Sequence, residues 1–282
     1  MIQPVCTDDD WLRDVEQARG GVGFRLWWLG QSGYLVQWSG GHVLLDPYLS
    51  DSLTRKYAGT DRPHVRLTAP LVAPERLTFI DVVTSSHNHT DHLDAETLVP
   101  ILRANPSASL VIPEANRGLV ADRLGVPVDR PVGLDDGVSA SVAGLTISGV
   151  AAAHEAVERD AQGRCRYLGY VLRFGPWTIY HSGDTMWYEG LADRLRPWRV
   201  DVALLPINGR APERRVAGNL DGLQAARLSR DIGAAVVIPC HYEMFEFNTA
   251  SPESFVAECR RLGQPHAVLR CGERWDAQAS GR

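Results

Sequence analysis

His87, His89, Asp91 and His92 place four potential metal ligands within the six-residue run His87-Asn88-His89-Thr90-Asp91-His92. A β-like stretch, residues 79–84, precedes the run and ends at Ser85-Ser86. The four side chains therefore belong to the loop behind a strand. Neutral imidazoles with one carboxylate suit a borderline divalent cation such as zinc. The plainer reading is a polar loop with surface histidines. Against it, more candidates recur at similar places: His154 after residues 150–153, Asp184 after a strand at 177–180, and His241 after 236–239. A lone histidine is more often a packing or surface residue than a ligand. Three such residues, each just past a strand, join the four-ligand loop in pointing to one metal centre.

The elements that must carry these residues follow from pattern. A helix is predicted over residues 9–19, then three strands over 24–29, 33–38 and 42–46, the last two joined at Ser39-Gly40-Gly41. Residues 49–78 lack periodicity and hold Pro63, Pro70 and Pro74, so a long loop is expected there. Arg55, Lys56, Arg62, His64 and Arg66 make it locally basic, with Tyr57 among them. Asp94 is placed to cap a helix over 95–104, which Pro100 should kink or interrupt. A strand at 109–112, a helix at 114–124 stopped by Gly125 and a strand at 145–150 come next. A hairpin over 168–180 turns at Gly175-Pro176. Strands at 200–205 and 234–238 flank a helix at 221–232. Ser251-Pro252-Glu253 opens a final helix that Gly263 stops, and 267–270 is expected as the last strand. No composition break or repeat divides the chain, so residues 1–282 are expected to form a single domain, of mixed α/β class by periodicity alone.

Composition sets outer bounds. The 282 residues are 44% hydrophobic and 22% charged, with net charge −5. That balance is globular and gives no general nucleic-acid footprint, so nucleic acid is not expected as a partner. No apolar run reaches the length of a membrane span, and the acidic N-terminus lacks a signal pattern, so a cytoplasmic protein is expected. Five cysteines, with no Cys-x-x-Cys pair, fit a reduced compartment. Cys240, beside His241, reads as a small buried residue rather than a ligand.

His-x-His-x-Asp-His behind a strand is the signature of the metallo-β-lactamase superfamily, which this sequence resembles along nearly its whole length. Trp27-Trp28-Leu29-Gly30, Leu45-Asp46-Pro47-Tyr48, the run 180–185, the run 205–210 and the run 238–242 resemble its L-ascorbate-6-phosphate lactonase-like branch. The resemblance implies the αββα sandwich, two mixed sheets between helix layers. It also implies a ligand set. His87, His89 and His154 hold one cation; Asp91, His92 and His241 hold a second; Asp184 bridges them. Two such cations, zinc or manganese, would share a hydroxide and acidify its parent water, with Asp91 orienting or deprotonating the nucleophile and Asp184 lying between the cations. A glutamate marks the oxygen-reducing di-iron relatives at the position of His89, so its histidine favours hydrolysis.

The expected function is a metal-dependent hydrolase of small, anionic lactones or esters. A phosphodiesterase of phospholipase D or ribonuclease type is the alternative, and a non-enzymatic metal-binding protein the third reading. Asp46 is expected to accept from a ligating histidine. For substrate binding the sequence offers His181, Asn208, Arg210 and Tyr242. Arg210 has Arg214 and Arg215 nearby and suits bidentate binding of a phosphate or carboxylate, with a solvated basic loop as the bland alternative. His181 reads equally well as a strand-end histidine bonded to backbone. The expected partner is thus a small-molecule substrate, without a membrane; a homo-oligomer is compatible with the chain.

Overall fold

The computed structural model describes residues 1–277. In chain order its elements are α1 (Asp8–Gln17), β1 (Arg25–Gly30), β2 (Gly33–Trp38), β3 (Gly41–Leu45), α2 (Ser52–Tyr57), β4 (Val82–Thr84), α3 (Ala95–Ala104), β5 (Ser109–Pro113), α4 (Arg117–Leu124) and β6 (Val132–Leu134). The second half continues with β7 (Ser139–Val142), β8 (Leu145–Ala151), β9 (Leu168–Phe174), β10 (Trp177–His181), α5 (Leu191–Leu195), β11 (Val202–Pro206), α6 (Gly222–Asp231), β12 (Val236–Cys240), α7 (Glu253–Leu262) and β13 (Arg274–Asp276).

The strands form two mixed sheets. One has the order β13-β1-β2-β3-β4-β5-β6 and the other β12-β11-β10-β9-β8-β7. Pairing is parallel from β3 to β6 and from β10 to β12, and antiparallel elsewhere. All residues of β2 and of β11 are buried. A strand covered on both faces reads as a continuous apolar run, as Val202–Pro206 does. Both sheets contribute to one apolar core, from Leu26 and Leu44 to Val171 and Leu204. This is the sandwich architecture expected from the sequence.

The differences from expectation are local. The 49–78 loop contains a helix, α2, and Arg66 ties the middle of the loop to its start by donating from Nη1 to Ser50 O at 2.6 Å. Pro100 does not interrupt α3; buried Thr97, Leu98 and Ile101 hold the helix through it. The lost hydrogen bond costs less than the burial gained by keeping the turn. Asp94 stands at the N-cap but bonds hydroxyls instead of backbone, accepting from Ser52 Oγ at 2.8 Å and Thr97 Oγ1 at 2.5 Å. The last strand is not at 267–270. That segment follows a single bridge, Val237 to His266, and the chain then turns at Gly272 (φ +81°) to add β13 to β1 in the other sheet. Among the described residues no helix is long and apolar enough to cross a membrane.

One contact between β2 and β3 makes stability depend on pH. Gln37 Nε2 donates to Val15 O and faces His42 Nε2, both at 2.9 Å, so that imidazole nitrogen must keep its lone pair. Burial, with help from Arg19, lowers the His42 pKa from 6.5 to about 4 against the opposing pull of Asp81 and Glu16. The unfolded chain binds this proton near pH 6.5, the folded chain only near 4. Stability is therefore complete above pH 6.5 and falls as pH drops toward 4, by about 2 kcal/mol by pH 5. Urea unfolding at pH 7.5 and pH 5 should show that loss. A His42→Gln variant should show an acid loss smaller by about 2 kcal/mol, the remainder belonging to other buried histidines such as His87 and His89; an unchanged pH dependence in the variant would assign all of it to those other groups.

Candidate metal centre

The ends of β1, β3, β4, β8, β10 and β12 deliver the site. His87, His89, Asp91 and His92 lie on the loop after β4, His154 after β8, Asp184 after β10 and His241 directly after β12. The structure brings all of them together. Ligand atoms of His87, His89 and His154 lie within 4.8 Å of one another, as do those of Asp91, His92 and His241. Asp184 stands between these groups. Its Oδ1 is 3.3 Å from His92 Nε2, and its Oδ2 is 3.3 Å from His241 Nε2 and 3.5 Å from His154 Nε2.

Gly183 makes this approach possible. Its φ is +57°, and a Cβ there would meet Ser86 Cβ at 2.5 Å. Only glycine lets the β10 turn press against the β4 loop. Gln31, Asp46 and His241 also hold positive φ, at +50°, +40° and +64°. Such backbones cost about 1–3 kcal/mol each and persist where the surroundings over-determine them.

The surrounding hydrogen bonds fix which imidazole nitrogen faces inward. His92 Nδ1 donates to Asp46 Oδ2 at 2.6 Å. Asp46 is fully buried and also accepts from Ser86 N, Ser86 Oγ and Thr84 Oγ1. His154 Nδ1 lies 2.8 Å from Gly218 O, to which it donates. Both tautomers therefore leave Nε2 with its lone pair at the centre.

The buried polar atoms test the fit of a cation. His87 Nε2, His92 Nε2 and Asp184 Oδ1 are buried without a hydrogen-bond partner among the described residues. Each such atom costs about 1–3 kcal/mol when left bare. Burial holds the His87 pKa well below its usual value, aided by the His92 and His89 rings, and lowers His89 to about 4 together with His154. These rings are neutral at physiological pH, the form that ligates. Burial opposes ionisation of Asp184, yet His241 and His92 hold its carboxyl well below the ordinary range. For His92 burial works against a proton, but Asp184, Asp91 and Asp46 outweigh it. The negative charge that would keep a proton there is the charge a divalent cation would meet. The donor set fits a metal.

A cleft of about 460 Å³ opens over the centre, floored by His89, Asp91, His154, Asp184 and His241. A family model, the Beta-lactamase superfamily domain, matches residues 42–242, the stretch that contains His87, His89, Asp91, His92, His154, Asp184 and His241. The chain belongs to the metallo-β-lactamase superfamily. Within it the relatives are metal-dependent hydrolases. A UPF0173 metal-dependent hydrolase of Myxococcus xanthus is 29% identical over 252 residues, 86% of this chain and 78% of that protein. One of Chloroflexus aurantiacus is 30% identical over 189 residues, 65% of this chain and 73% of that protein. Solved structures agree in fold. The isothiocyanate hydrolase from Delia radicum gut bacteria superposes with a TM-score of 0.70 at 22% identity, covering 90% of this chain and 100% of that one. A possible metal-dependent hydrolase from Veillonella parvula gives 0.72 at 16%, covering 91% and 100%.

In this superfamily hydrolase, the four residues expected to bind substrate do not line the cleft. His181 is fully buried, with Nε2 donating to Ser32 O at 3.0 Å, as its backbone-bonded reading describes. Tyr242 is buried, stacked on Trp28 at 4.2 Å, and donates to Leu269 O. Asn208 sits one layer back, donating to Asn248 Oδ1, whose residue does line the cleft. Arg210 is taken by Glu155, with both carboxylate oxygens 3.0 Å from Nε. Glu155 also accepts from Gly218 N at 3.0 Å, the residue whose carbonyl orients His154. Arg210 thus braces the centre from outside. Cys240 is buried beside Ser32, and burial pushes its thiol far above the usual range.

Sequence reasoning missed Gln31. Its Nε2 donates to Asp91 Oδ2 at 2.7 Å and approaches His241 Nε2 at 3.2 Å. A glutamine in a hairpin turn carries no signal for such a role. Arg123 was also missed; from α4 it donates to Asn88 O at 2.6 Å and Leu93 O at 3.3 Å, clasping the ligand loop.

Proposed function

We propose that this hydrolase opens small, anionic lactones or esters with two divalent cations, zinc or manganese. The observation that carries the reading is Asp184, placed with one oxygen beside His92 and the other beside His154 and His241, between two ligand groups. His87, His89 and His154 would hold one cation and Asp91, His92 and His241 the other, with Asp184 placed to serve both. When bound, such a pair supplies Lewis acidity and lowers the pKa of a coordinated water toward neutrality.

The chain's own residues do the rest. Burial raises the pKa of Asp91, but His92, His241 and the Gln31 hydrogen bond outweigh burial and the Asp184 charge, keeping it an acceptor. Gln31 holds Oδ2 from one side, which fixes the carboxylate where it would orient the attacking water or take its proton. Asp46 and Gly218 O hold His92 and His154 in one tautomer each. Lys56 and Arg123 line the cleft and favour a negatively charged substrate despite the net charge of −5. A cleft of about 460 Å³ suits a small molecule.

Protein stripped by a chelator should lose turnover and regain it on adding zinc or manganese. Elemental analysis should then read about two cations per chain. A single tightly bound cation at saturating metal would sink the two-cation assignment. A panel of lactones, carboxylic esters and phosphodiesters tests the substrate class; turnover of phosphodiesters alone would hand the site to the phosphodiesterase reading.

A further inference from the structure

The cleft has a second half that the proposed chemistry does not use. His64 lies at its centre, with Tyr57 stacked on it at 4.1 Å between ring centroids and 18° between planes. Phe247 and Phe245 meet the same ring edge-on at 4.4 and 5.3 Å. Tyr57, His64 and Phe247 are each only half-buried, and all line the cleft. His64 Nδ1 donates to Arg62 O at 3.2 Å, and burial lowers its pKa, so the ring is neutral and packs as an aromatic. Partly exposed rings in a group, walling a cavity, mark a binding surface more than a core.

The charges around this wall divide into used and unused. Arg215 pairs with Asp61 at 2.5 Å. Arg62 Nη1 is spent on the carbonyls of Arg214 and Arg215, at 3.1 and 2.8 Å. Lys56 is different. Its Nζ lies 5.2 Å from the Tyr57 ring centroid, and it has no ion-pair partner among the described residues. An adjoining cavity of about 280 Å³ shares Tyr57, His64, Arg215 and Val216 with the main cleft and lengthens this end.

We propose that this half is a subsite for a flat, unsaturated ring bearing an anionic group, the ring against Tyr57, His64 and Phe247 and the anion on Lys56. The inference rests on the reading of the chain as a hydrolase of anionic lactones or esters and narrows it to aryl-bearing ones. A saturated ring offers at least as much apolar area, so burial alone would not disfavour it, but it cannot stack or meet ring edges favourably. An uncharged ring forgoes the charge-assisted contact.

Calorimetric titration of the metal-loaded protein with benzenesulfonate, cyclohexanesulfonate and methyl phenyl sulfone separates these contributions, since sulfonates are weak metal ligands. Benzenesulfonate should bind about ten-fold more tightly than either of the others. Tyr57→Leu should abolish the preference for the aromatic ring, and Tyr57→Phe should keep it. Lys56→Met should abolish the preference for the anion. Metal content, measured alongside, should not change in any variant. Equal binding of the aromatic and saturated sulfonates, or a preference that survives Tyr57→Leu, overturns the subsite. Turnover measured in parallel keeps the two readings apart. Equal kcat/KM on aryl and alkyl lactones overturns the subsite and leaves the hydrolase standing. Selective binding of benzenesulfonate without turnover of any lactone or ester supports the subsite and overturns the substrate class proposed above.

Discussion

Asp184→Ala is expected to abolish turnover and lower cation occupancy, while His266→Ala does neither. Asp184 is 4% exposed and touches three imidazoles drawn from three separate loops. No neighbouring carboxylate can take its place, because Asp91 engages Gln31 and Asp46 faces the opposite side of His92. Removing it takes away the group common to both proposed cation sites and would leave two such cations without the negative charge between them. A fall in kcat of about a thousand-fold or more corresponds to about 4 kcal/mol of barrier. The His266 imidazole bonds Gln264 O and packs edge-on against Phe255, away from the seven site residues, so it serves as a control. Steady-state kinetics and elemental analysis of both variants check the contrast. Parental activity in Asp184→Ala would remove the bridging role.

The second large effect is expected at Asp46, which touches no substrate. Asp46→Asn keeps size and tolerates the positive φ of +40°, so the backbone is not the variable. The native carboxylate accepts four donors: His92 Nδ1 and Ser86 Oγ on Oδ2, and Ser86 N and Thr84 Oγ1 on Oδ1. An amide has one accepting oxygen, and its NH₂ would meet the His92 N–H. To avoid that clash His92 must move its proton to Nε2, the nitrogen that faces the centre. Cation affinity should fall about 10- to 100-fold, with kcat/KM falling at least as far. A buried donor left unpaired should also cost about 1–3 kcal/mol of stability. Chelator competition reads the first and thermal unfolding the second. If Asp46→Asn holds cations as tightly as the parent, the tautomer argument fails.

Much of the centre was legible in the sequence because ligand geometry imposes short-range pattern. A loop that must turn four side chains toward one point has to place them close together, and His87-Asn88-His89-Thr90-Asp91-His92 does so. His154, Asp184 and His241 were legible for a related reason. Each follows a run of residues that reads as a strand, and strand ends gather at one edge of a sheet. The stops at Gly125 and Gly263 were equally local, since only glycine enters φ near +64° without cost.

Tertiary structure decided what depends on distant parts of the chain. Gln31 reaches His241 across 210 positions, a contact that no spacing rule encodes. The short strands β6, β7 and β13 exist because a neighbour offers them a ladder, not because their residues favour extension. Basic residues at 55–66 and at 210–215 look alike as sequence. Folding pairs Arg210 with Glu155 and Arg215 with Asp61, and leaves Lys56 at the cleft with no ion-pair partner among the described residues. Residue type sets which atoms are able to bind a metal or an anion. Which of them stay unsatisfied is settled only when the rest of the chain has chosen its partners.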